Sequence, residues 1–396
     1  MTTFKDFALP EALQHKLDAL GFDTPTPVQE RAIPAALEHR DILGSAQTGT
    51  GKTAAFAIPL LTKIMNHADV YGIIVTPTRE LALQVDEQIR AFLSAKSKIR
   101  SVVLIGGASI ERQVQALGKR PKIIVGTPGR IIDHLERKSL DLSGFNYVVL
   151  DETDRMLDMG FSAPIAEIFS RVSEERQTLL FSATLPKNIQ KISAQYLQNP
   201  VRIEMGQVNS VGDNIVQSTQ FVSKDGKFEM LVDALREHDQ SAIVFMNSKY
   251  ATEKLAKRLK SAGITAEAIH GDLRQSKRER VISNLRDNKF RVLVATDVAA
   301  RGIDVPHIHQ VINFDLPRQT EDYIHRIGRT GRNGAQGIAL NLATRDDMEK
   351  LNEIERLINP KAAKSAHKRP AGKPARKKPQ AKGRWRNKKS NRARAA

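Results

Sequence analysis

Cysteine is absent from all 396 residues of the chain. Its absence excludes a disulfide framework and any thiolate zinc site, and it is typical of proteins in a reducing compartment. Long apolar runs are also missing, since no segment approaches the ~18 apolar residues that a membrane-spanning helix needs. The first residues, MTTFKDFALP, include an acid and no apolar run, so they predict no secretory signal. We therefore expect a cytoplasmic protein with no membrane segment.

Aromatic residues are scarce overall, and acidic residues are missing from one end of the chain. Aromatics make up 5% and Trp385 is the sole tryptophan, which argues against binding of nucleic acid mainly by a stacking platform. Residues 361–396 contain 15 of the 62 Lys and Arg but none of the 44 Asp and Glu, so residues 1–360 carry a net charge of only +3. This end lacks apolar periodicity, and we predict a disordered basic tail that binds a polyanion such as nucleic acid. A tail that only aids solubility is the alternative.

Short β-branched runs alternate with helical patterns from residue 41 to residue 344. Continuous apolar runs with helices between them are typical of parallel strands that are covered on both faces. Seven such runs precede the segment GQVNSVG (206–212), and six follow it. We therefore predict two α/β domains, 1–206 and 214–360, joined by a linker at 207–213 and followed by the tail at 361–396. Sites in such sheets lie at the carboxyl ends of the strands.

The segment AQTGTGKT follows the first of these strands and opens a helix. Its two glycines would let backbone N–H groups face a phosphate at the positive end of that helix. Lys52 would reach the β- and γ-phosphates of a nucleotide, and the Thr53 hydroxyl would ligate Mg²⁺. A plain strand-to-helix turn rarely needs two glycines followed by Lys-Thr. The predicted nucleotide-binding residues are Ala46, Gln47, Thr48, Gly49, Thr50, Gly51, Lys52 and Thr53.

Two acids end the strand YVVLDE (147–152). Asp151 would hold Mg²⁺ through water, because Mg²⁺ keeps much of its hydration shell. Glu152 is placed to orient or deprotonate an attacking water molecule. Acids after a strand often only cap a helix. Together with the lysine-containing loop, however, they indicate a site for nucleotide hydrolysis.

Ten short motifs follow one another along residues 4–345: GFDTPTPVQ, AQTGTGKT, PTREL, GG, TPGR, DETD, SAT, FMNS, ATDVAARGID and HRIGRTGR. With these motifs in this order, the chain resembles the DEAD-box ATP-dependent RNA helicases. Its compact, basic-tailed form is similar to the bacterial RhlE-like subgroup. The resemblance implies two tandem RecA-like domains, each a mostly parallel sheet covered by helices. One departure is Thr153, where the family usually has alanine, and it concerns local packing and rate more than the class of activity.

The resemblance assigns further residues to ATP. Gln29 resembles the adenine-recognition glutamine, and its amide has a donor and an acceptor for the edge of the base. Phe22 would offer its ring face to adenine, with Phe4 supporting the motif from behind. Asp304 resembles a ribose contact.

Two arginines of the last motif, Arg329 and Arg332, resemble the family's arginine fingers, which reach from the second domain to the γ-phosphate. A delocalised, permanent charge suits the phosphoryl-transfer transition state, whereas a basic surface loop is the alternative interpretation. The resemblance also implies a set of residues that couples the ATP site to RNA-dependent domain closure. These residues are Asp154, Ser182, Thr184 and His325.

The remaining motifs resemble the family's RNA-contacting segments. Short hydroxyls, backbone amides and arginines are what contacts with phosphate and sugar require. Such contacts carry no base-sequence information, so we expect low sequence specificity. The implied RNA-binding residues are Thr78, Arg79, Gly107, Thr127, Arg130, Gln275, Arg278, Thr296 and Arg301.

The motifs together predict an RNA-stimulated ATPase that uses ATP and Mg²⁺. It would bind single-stranded and short duplex RNA and separate short duplexes locally, without long processive travel. Two alternatives stay open. One is an RNA-annealing protein with a weak ATPase, in which the basic tail does most of the work. The other is a DNA helicase.

Overall fold

The computed structural model describes residues 2–46, 49–204, 214–300, 303, 305, 307–331 and 335–358. Within these residues, thirteen strands and fifteen α-helices occur, and every predicted run contains a strand. None of the described helices has the length and apolar character needed to cross a membrane. The predicted linker and the predicted disordered tail lie outside the described residues.

Seven parallel strands form the first sheet, in the order β3-β4-β2-β5-β6-β1-β7. They are β1 (Ile42–Ser45), β2 (Gly72–Val75), β3 (Ser101–Leu104), β4 (Ile123–Gly126), β5 (Tyr147–Leu150), β6 (Gln177–Ser182) and β7 (Val201–Glu204). The helices of this half are α1 (Glu11–Ala19), α2 (Pro27–Leu37), α3 (Lys52–Asn66), α4 (Arg79–Ala91), α5 (Ile110–Leu117), α6 (Pro128–Glu136), α7 (Thr153–Asp158), α8 (Ser162–Phe169) and α9 (Lys187–Tyr196). Two buried apolar clusters pack against this sheet, as expected for strands that are covered on both faces.

Six parallel strands form the second sheet, in the order β10-β11-β9-β12-β13-β8. They are β8 (Ile215–Phe221), β9 (Ala242–Phe245), β10 (Ala266–Ile269), β11 (Val292–Ala295), β12 (Gln310–Asn313) and β13 (Gly337–Ala343). The accompanying helices are α10 (Lys227–Glu237), α11 (Lys249–Ser261), α12 (Gln275–Arg286), α13 (Asp297–Ala300), α14 (Asp322–Ile327) and α15 (Met348–Ile358). Two further apolar clusters complete this core. The α/β prediction is confirmed, and the two sheets are those of tandem RecA-like domains.

Edge strands differ from the prediction that both faces are covered: β7 has two of four residues exposed, and β8 departs furthest. β8 pairs only with β13, at the edge of the second sheet, and six of its seven residues are exposed. Val216 and Phe221 are 63% and 57% exposed. The run IVQSTQF is rich in neutral polar residues, and that composition suits an edge better than a buried centre.

Side-chain caps fix several helix starts, two of them directly after strands β2 and β9. The Thr78 hydroxyl accepts from Leu81 N at 3.2 Å at the start of α4, and the Ser248 hydroxyl accepts from Ala251 N at 3.5 Å at the start of α11. Thr26 and Gln29 form a reciprocal capping box at the start of α2. Two of these caps involve predicted site residues, Thr78 and Gln29.

Candidate functional site

The segment from Ala46 to Thr53, predicted to bind phosphate, is called the phosphate loop below. Its glycines have the backbone conformation that the sequence predicts. Gly49 and Gly51 adopt φ values of 86° and 90°, which side chains with a Cβ rarely tolerate. A Cβ atom at position 51 would also lie 2.3 Å from Gln29 Nε2. Glycine at 51 is therefore required by both conformation and space. Gln47 and Thr48 lie outside the described residues.

Gln29 is 4% exposed and joins the start of α2 to the phosphate loop. Its Oε1 accepts from Thr26 N at 2.9 Å, and its Nε2 donates to Gly51 O at 3.0 Å. Thr26 adds a bond from its hydroxyl to Thr50 O at 2.8 Å. One amide proton and one lone pair of Gln29 are left over for a base. The predicted adenine residue therefore also contacts the loop that would hold the phosphates.

Phe22 lies at the edge of an aromatic cluster. Its ring packs edge-on against Phe4 at 5.6 Å and against Phe92 at 5.4 Å between ring centroids. Phe4 is 1% exposed, so it supports Phe22 from the core side as predicted. A contact between Phe22 and adenine stays a prediction.

Lys52 and the acids after β5 come together in a buried group. Lys52 Nζ donates to Ala46 O at 3.0 Å and lies 4.0 Å from Asp151 Oδ1. Asp151 is 2% exposed, and burial raises its pKa to about 6, although Lys52 opposes that rise. Glu152 has φ 50° and ψ 50°, so a non-glycine residue occupies the left-handed region where the chain turns from β5 into α7. Backbone strain of this kind is concentrated at functional sites.

The predicted coupling residues of the first domain meet on Asp154. Its Oδ2 accepts from Ala183 N at 3.1 Å, Thr184 N at 3.0 Å and the Thr184 hydroxyl at 3.1 Å. The Ser182 hydroxyl instead donates to Thr184 O at 2.6 Å, and so shapes the same turn. The acidic motif and the SAT motif are therefore one hydrogen-bonded unit.

The second domain presents α14 to this unit. Arg329 is 4% exposed and donates to His325 O at 3.2 Å and to Ile303 O at 3.0 Å, so part of its guanidinium holds loops of its own domain. His325 is half-buried on α14, which ends at Ile327, two residues before Arg329. The other predicted residues of this region, Arg301, Asp304 and Arg332, lie outside the described residues.

An ion pair that the sequence did not predict joins the domains here. Arg155, directly after the acidic motif, donates through Nη1 to Asp322 Oδ1 on α14. Arg155 is 1% exposed, and its Nε and Nη2 have no hydrogen-bond partner among the described residues. No spacing rule could have paired two residues 167 positions apart.

A second group of predicted residues surrounds a cavity of about 440 Å³ between the domains. Val298, next to Thr296 and Asp297, also lines it. Gly107 lies against Arg79 and Gln275, because a Cβ atom there would be 2.4 Å from Arg79 Nη1 and 3.5 Å from Gln275 Cβ. The predicted RNA-binding residues that line the cavity are Thr78, Arg79, Thr127, Arg130 and Arg278.

Two neighbouring arginines act on Arg79 in this cavity. Burial together with the neighbouring Arg278 and Arg130 holds the pKa of Arg79 below its usual value. Arg278 is balanced by Glu80, since its Nε donates to Glu80 Oε1 at 2.7 Å with both side chains buried. Glu80 belongs to the first domain and was missed from the sequence. The cavity therefore keeps a net positive charge, which suits a polyanion.

Comparisons with known proteins agree with this arrangement. The family model for DEAD/DEAH box helicases matches residues 26–192, and the model for the helicase conserved C-terminal domain matches residues 226–334. A DEAD-box ATP-dependent RNA helicase, CshA of Bacillus cereus, is 45% identical over 358 residues, which are 90% of this chain and 68% of the relative. CshA of Geobacillus kaustophilus is 44% identical, over 90% and 76% of the two chains.

Two solved structures have the same arrangement of domains. Dbp5 of S. cerevisiae bound to RNA and ADP BeF3 is 31% identical with a TM-score of 0.82, over 90% of this chain and 94% of that one. Mss116p bound to ssRNA and AMP-PNP is 31% identical with a TM-score of 0.83, over 90% and 78%. Both structures hold a nucleotide or its analogue together with RNA.

Proposed function

The chain belongs to the DEAD-box ATP-dependent RNA helicases, and we propose that it separates short RNA duplexes locally by closing its two domains on ATP and one RNA strand. It is an ATP-hydrolysing RNA helicase. The observation that carries the proposed mode of RNA binding is the convergence of Arg79, Arg130 and Arg278, from both domains, on one cavity. A strand held there would bridge the domains through its backbone, with little sequence specificity.

In the proposed ATP site, Lys52 holds the β- and γ-phosphates and Gln29 binds adenine while touching the phosphate loop. Glu152 orients the attacking water and accepts its proton. Asp154 transmits the state of the nucleotide to the SAT turn through its three hydrogen bonds. These assignments are supported by the burial and spacing of the group around Lys52.

The donors of the site fit Mg²⁺. Asp151 is a buried carboxylate whose charge Lys52 balances only in part, and the Thr53 hydroxyl lies in the first turn of α3. Hard oxygen donors, few in number and completed by water and phosphate, are what Mg²⁺ prefers. When bound, Mg²⁺ would offset the charge that develops on the β- and γ-phosphates.

We propose that Arg332 and Arg329 complete the site from the second domain. An arginine finger contributes on the order of 10³–10⁵ in rate in related phosphoryl transfer. Arg332→Ala should therefore depress RNA-stimulated turnover strongly and leave ATP binding to the first domain unchanged. Measurement of turnover and of nucleotide affinity would check this, and turnover equal to that of the parent would reduce Arg332 to a surface charge.

The domain limits proposed from the sequence are 1–206 and 214–360, with a linker at 207–213 and a basic tail at 361–396, and the protein would act in the cytoplasm.

The alternative of an annealing protein with a weak ATPase is not favoured. The curated relatives of this chain are ATP-dependent helicases, and the matched Dbp5 structure holds RNA with ADP BeF3.

ATP turnover with structured RNA, single-stranded RNA and DNA, measured side by side, tests the function. RNA should stimulate hydrolysis, and DNA should stimulate it far less. Equal stimulation by DNA would favour the DNA helicase, and no stimulation by either would overturn the proposal.

A further inference from the structure

The cavity between the domains, at which we propose that RNA binds, is called the RNA cavity below. The first turn of α11 borders this cavity, but none of its residues lines it. β9 ends at Phe245, and Asn247 fixes the following turn by donating to Leu316 O at 2.9 Å and to Asp315 Oδ2 at 3.0 Å. Lys249 then lies along Gly271, since its Cε is 3.8 Å from where a Cβ of Gly271 would be. Gly271 itself lines the cavity next to Arg278. The helix therefore starts at the rim of the cavity and runs away from it.

Tyr250, the second residue of α11, is 78% exposed. Among the large apolar and aromatic side chains of the described residues, it is the most exposed. Residues at i, i+4 and i+7 share one face of a helix. On the face of Tyr250 these residues are Lys254 and Lys257, and both are exposed.

The two lysines differ from the other cations of α11. Lys249 pairs with Asp272 at 2.5 Å, Lys260 pairs with Glu267 at 2.9 Å, and the Arg258 guanidinium stacks on Phe228. The only acid of the helix, Glu253, contacts His270 at 3.0 Å. Lys254 and Lys257 have no ion-pair partner among the described residues. The face therefore combines an exposed aromatic ring with two lysines outside any ion pair, while Glu253, three residues after Tyr250, is engaged with His270.

We propose that this face of α11, Tyr250–Lys254–Lys257, binds single-stranded RNA where the strand leaves the cavity between the domains. Stacking of a base on an exposed ring, next to lysines that follow the backbone, is how proteins hold single strands without reading sequence. The face is about 10 Å long at 1.5 Å per residue. At a stacked spacing of about 3.4 Å it spans about three phosphates. The inference rests on the proposed function, because it places the surface next to the RNA cavity.

The surface predicts that RNA affinity depends on strand length. The probes are the shortest oligouridylate that supports full ATP turnover in the parent, and the same oligonucleotide lengthened at its 5′ or 3′ end. Affinities of the full chain are measured with a non-hydrolysable ATP analogue. Tyr250→Ala should weaken binding of one lengthened probe by roughly 5- to 150-fold, which is the range for loss of one stacked base. It should leave affinity for the shortest probe unchanged, and Tyr250→Phe should bind all probes like the parent.

The salt dependence of RNA affinity distinguishes the contribution of the lysine charges from that of base stacking. The double variant Lys254→Gln/Lys257→Gln should flatten the slope of log affinity against log salt by about 1.4 for the lengthened probe, at about 0.7 per phosphate. Tyr250→Ala should leave that slope unchanged. Phe221→Ala on the distant edge strand and Lys119→Gln beyond α5 are matched controls, and neither should change affinity for either probe.

Three results would overturn the inference. They are equal affinity of the parent for short and lengthened probes, parental binding of the lengthened probe by Tyr250→Ala, and equal losses on both probes. If the parent shows no RNA-stimulated turnover, the proposed function itself fails. Normal stimulation without dependence on probe length would instead overturn only the assignment of the α11 surface.

Discussion

At the scale of single residues, Thr153 is the first residue of α7 and lies just beyond the end of β5. Ala46 N donates to Ser182 O on the β1 side, so the carbonyl of the preceding Phe181 points to the β5 side. β5 has already ended at Leu150, and the Thr153 hydroxyl donates to Phe181 O at 3.1 Å and to Leu150 O at 3.3 Å. The side chain is fully buried. Threonine therefore supplies a donor to a buried carbonyl that the sheet leaves without a strand partner.

We expect Thr153→Ala to lower stability by about 1 kcal/mol, because a net hydrogen bond of this kind is lost. RNA-stimulated ATP turnover should stay within a few-fold of the parent, because Asp151, Glu152 and Asp154 are unchanged. Thermal unfolding and steady-state turnover would check both expectations. Thr153→Ser keeps the hydroxyl and is the control, and complete loss of turnover in Thr153→Ala would show that the acidic motif depends on this threonine.

The buried group around Lys52 predicts that binding and chemistry can be separated. Lys52→Ala removes the charge that we propose holds the phosphates, so ATP binding should fail. Glu152→Gln keeps size and hydrogen bonding but removes the base, so ATP and RNA should still bind while turnover stalls. Nucleotide affinity, RNA affinity and turnover would be measured on each variant.

Glu175→Gln, an exposed acid at the opposite end of the first sheet, is a matched control for the loss of a negative charge. It should behave like the parent in all three measurements. Hydrolysis by Glu152→Gln at the parental rate would remove Glu152 from the mechanism.

At the scale of helices and strands, two buried ion pairs join the domains. α4 and α12 meet through Glu80 and Arg278, and α7 and α14 meet through Arg155 and Asp322. Breaking a buried pair by removing one partner leaves an unpaired charge, which is costly only while the groups stay buried. If the domains separate, water can solvate both partners. The pairs therefore stabilise the closed arrangement more than the fold of either domain.

A double-mutant cycle of Glu80→Gln and Arg278→Gln tests this role. We expect a coupling of about 0.5–3 kcal/mol in RNA affinity with a non-hydrolysable ATP analogue, as for residues in direct contact. Without nucleotide the coupling should vanish, because the domains no longer need to close. The cycle separates the pair from any direct contact of Arg278 with RNA. Equal coupling with and without nucleotide would contradict a role in closure.

At the scale of the whole molecule, the charge of the chain is concentrated beyond the two domains. Residues 361–396 hold 15 cations and no acid. If roughly five of these cations engage RNA, deletion of the tail should flatten the slope of log affinity against log salt by about 3.5. Affinity should fall almost uniformly across sequences, because phosphate contacts position rather than specify. Turnover at saturating RNA should survive, since every motif of the ATP site precedes the tail.

The measurement compares the full chain with a chain that ends at Pro360, from low to moderate salt. A full-length variant whose tail cations are replaced by glutamine is the control for length alone, and it should match the truncated chain. Unchanged affinity and slope would reduce the tail to a solubility element. Loss of turnover at saturating RNA would mean that the tail takes part in catalysis.

The amino-acid sequence determined the features that depend on neighbouring residues. β-Branched runs bounded by turn residues located every strand of the described residues, because strands favour β-branched side chains and the buried ones need apolar side chains on both faces. Gly49 and Gly51 predicted a loop with positive φ, because that conformation is open to glycine at little cost. The motif order gave the family and most of the candidate site residues. The exposure of β8 was missed, because the strand order that puts it at an edge is a property of the whole sheet.

Only the tertiary structure decided which atoms meet. Glu80 and Arg278 are 198 residues apart, and Arg155 and Asp322 are 167 apart, so no local pattern relates them. The sequence indicated only that Thr153 would alter local packing. The structure shows that its hydroxyl donates to Phe181 O near the ends of β5 and β6. Tyr250 was one residue of an ordinary helical pattern until the fold placed it close to the rim of the cavity between the domains. Local spacing sets backbone conformation, whereas burial, pairing of charges and the surface left exposed depend on how distant segments pack together.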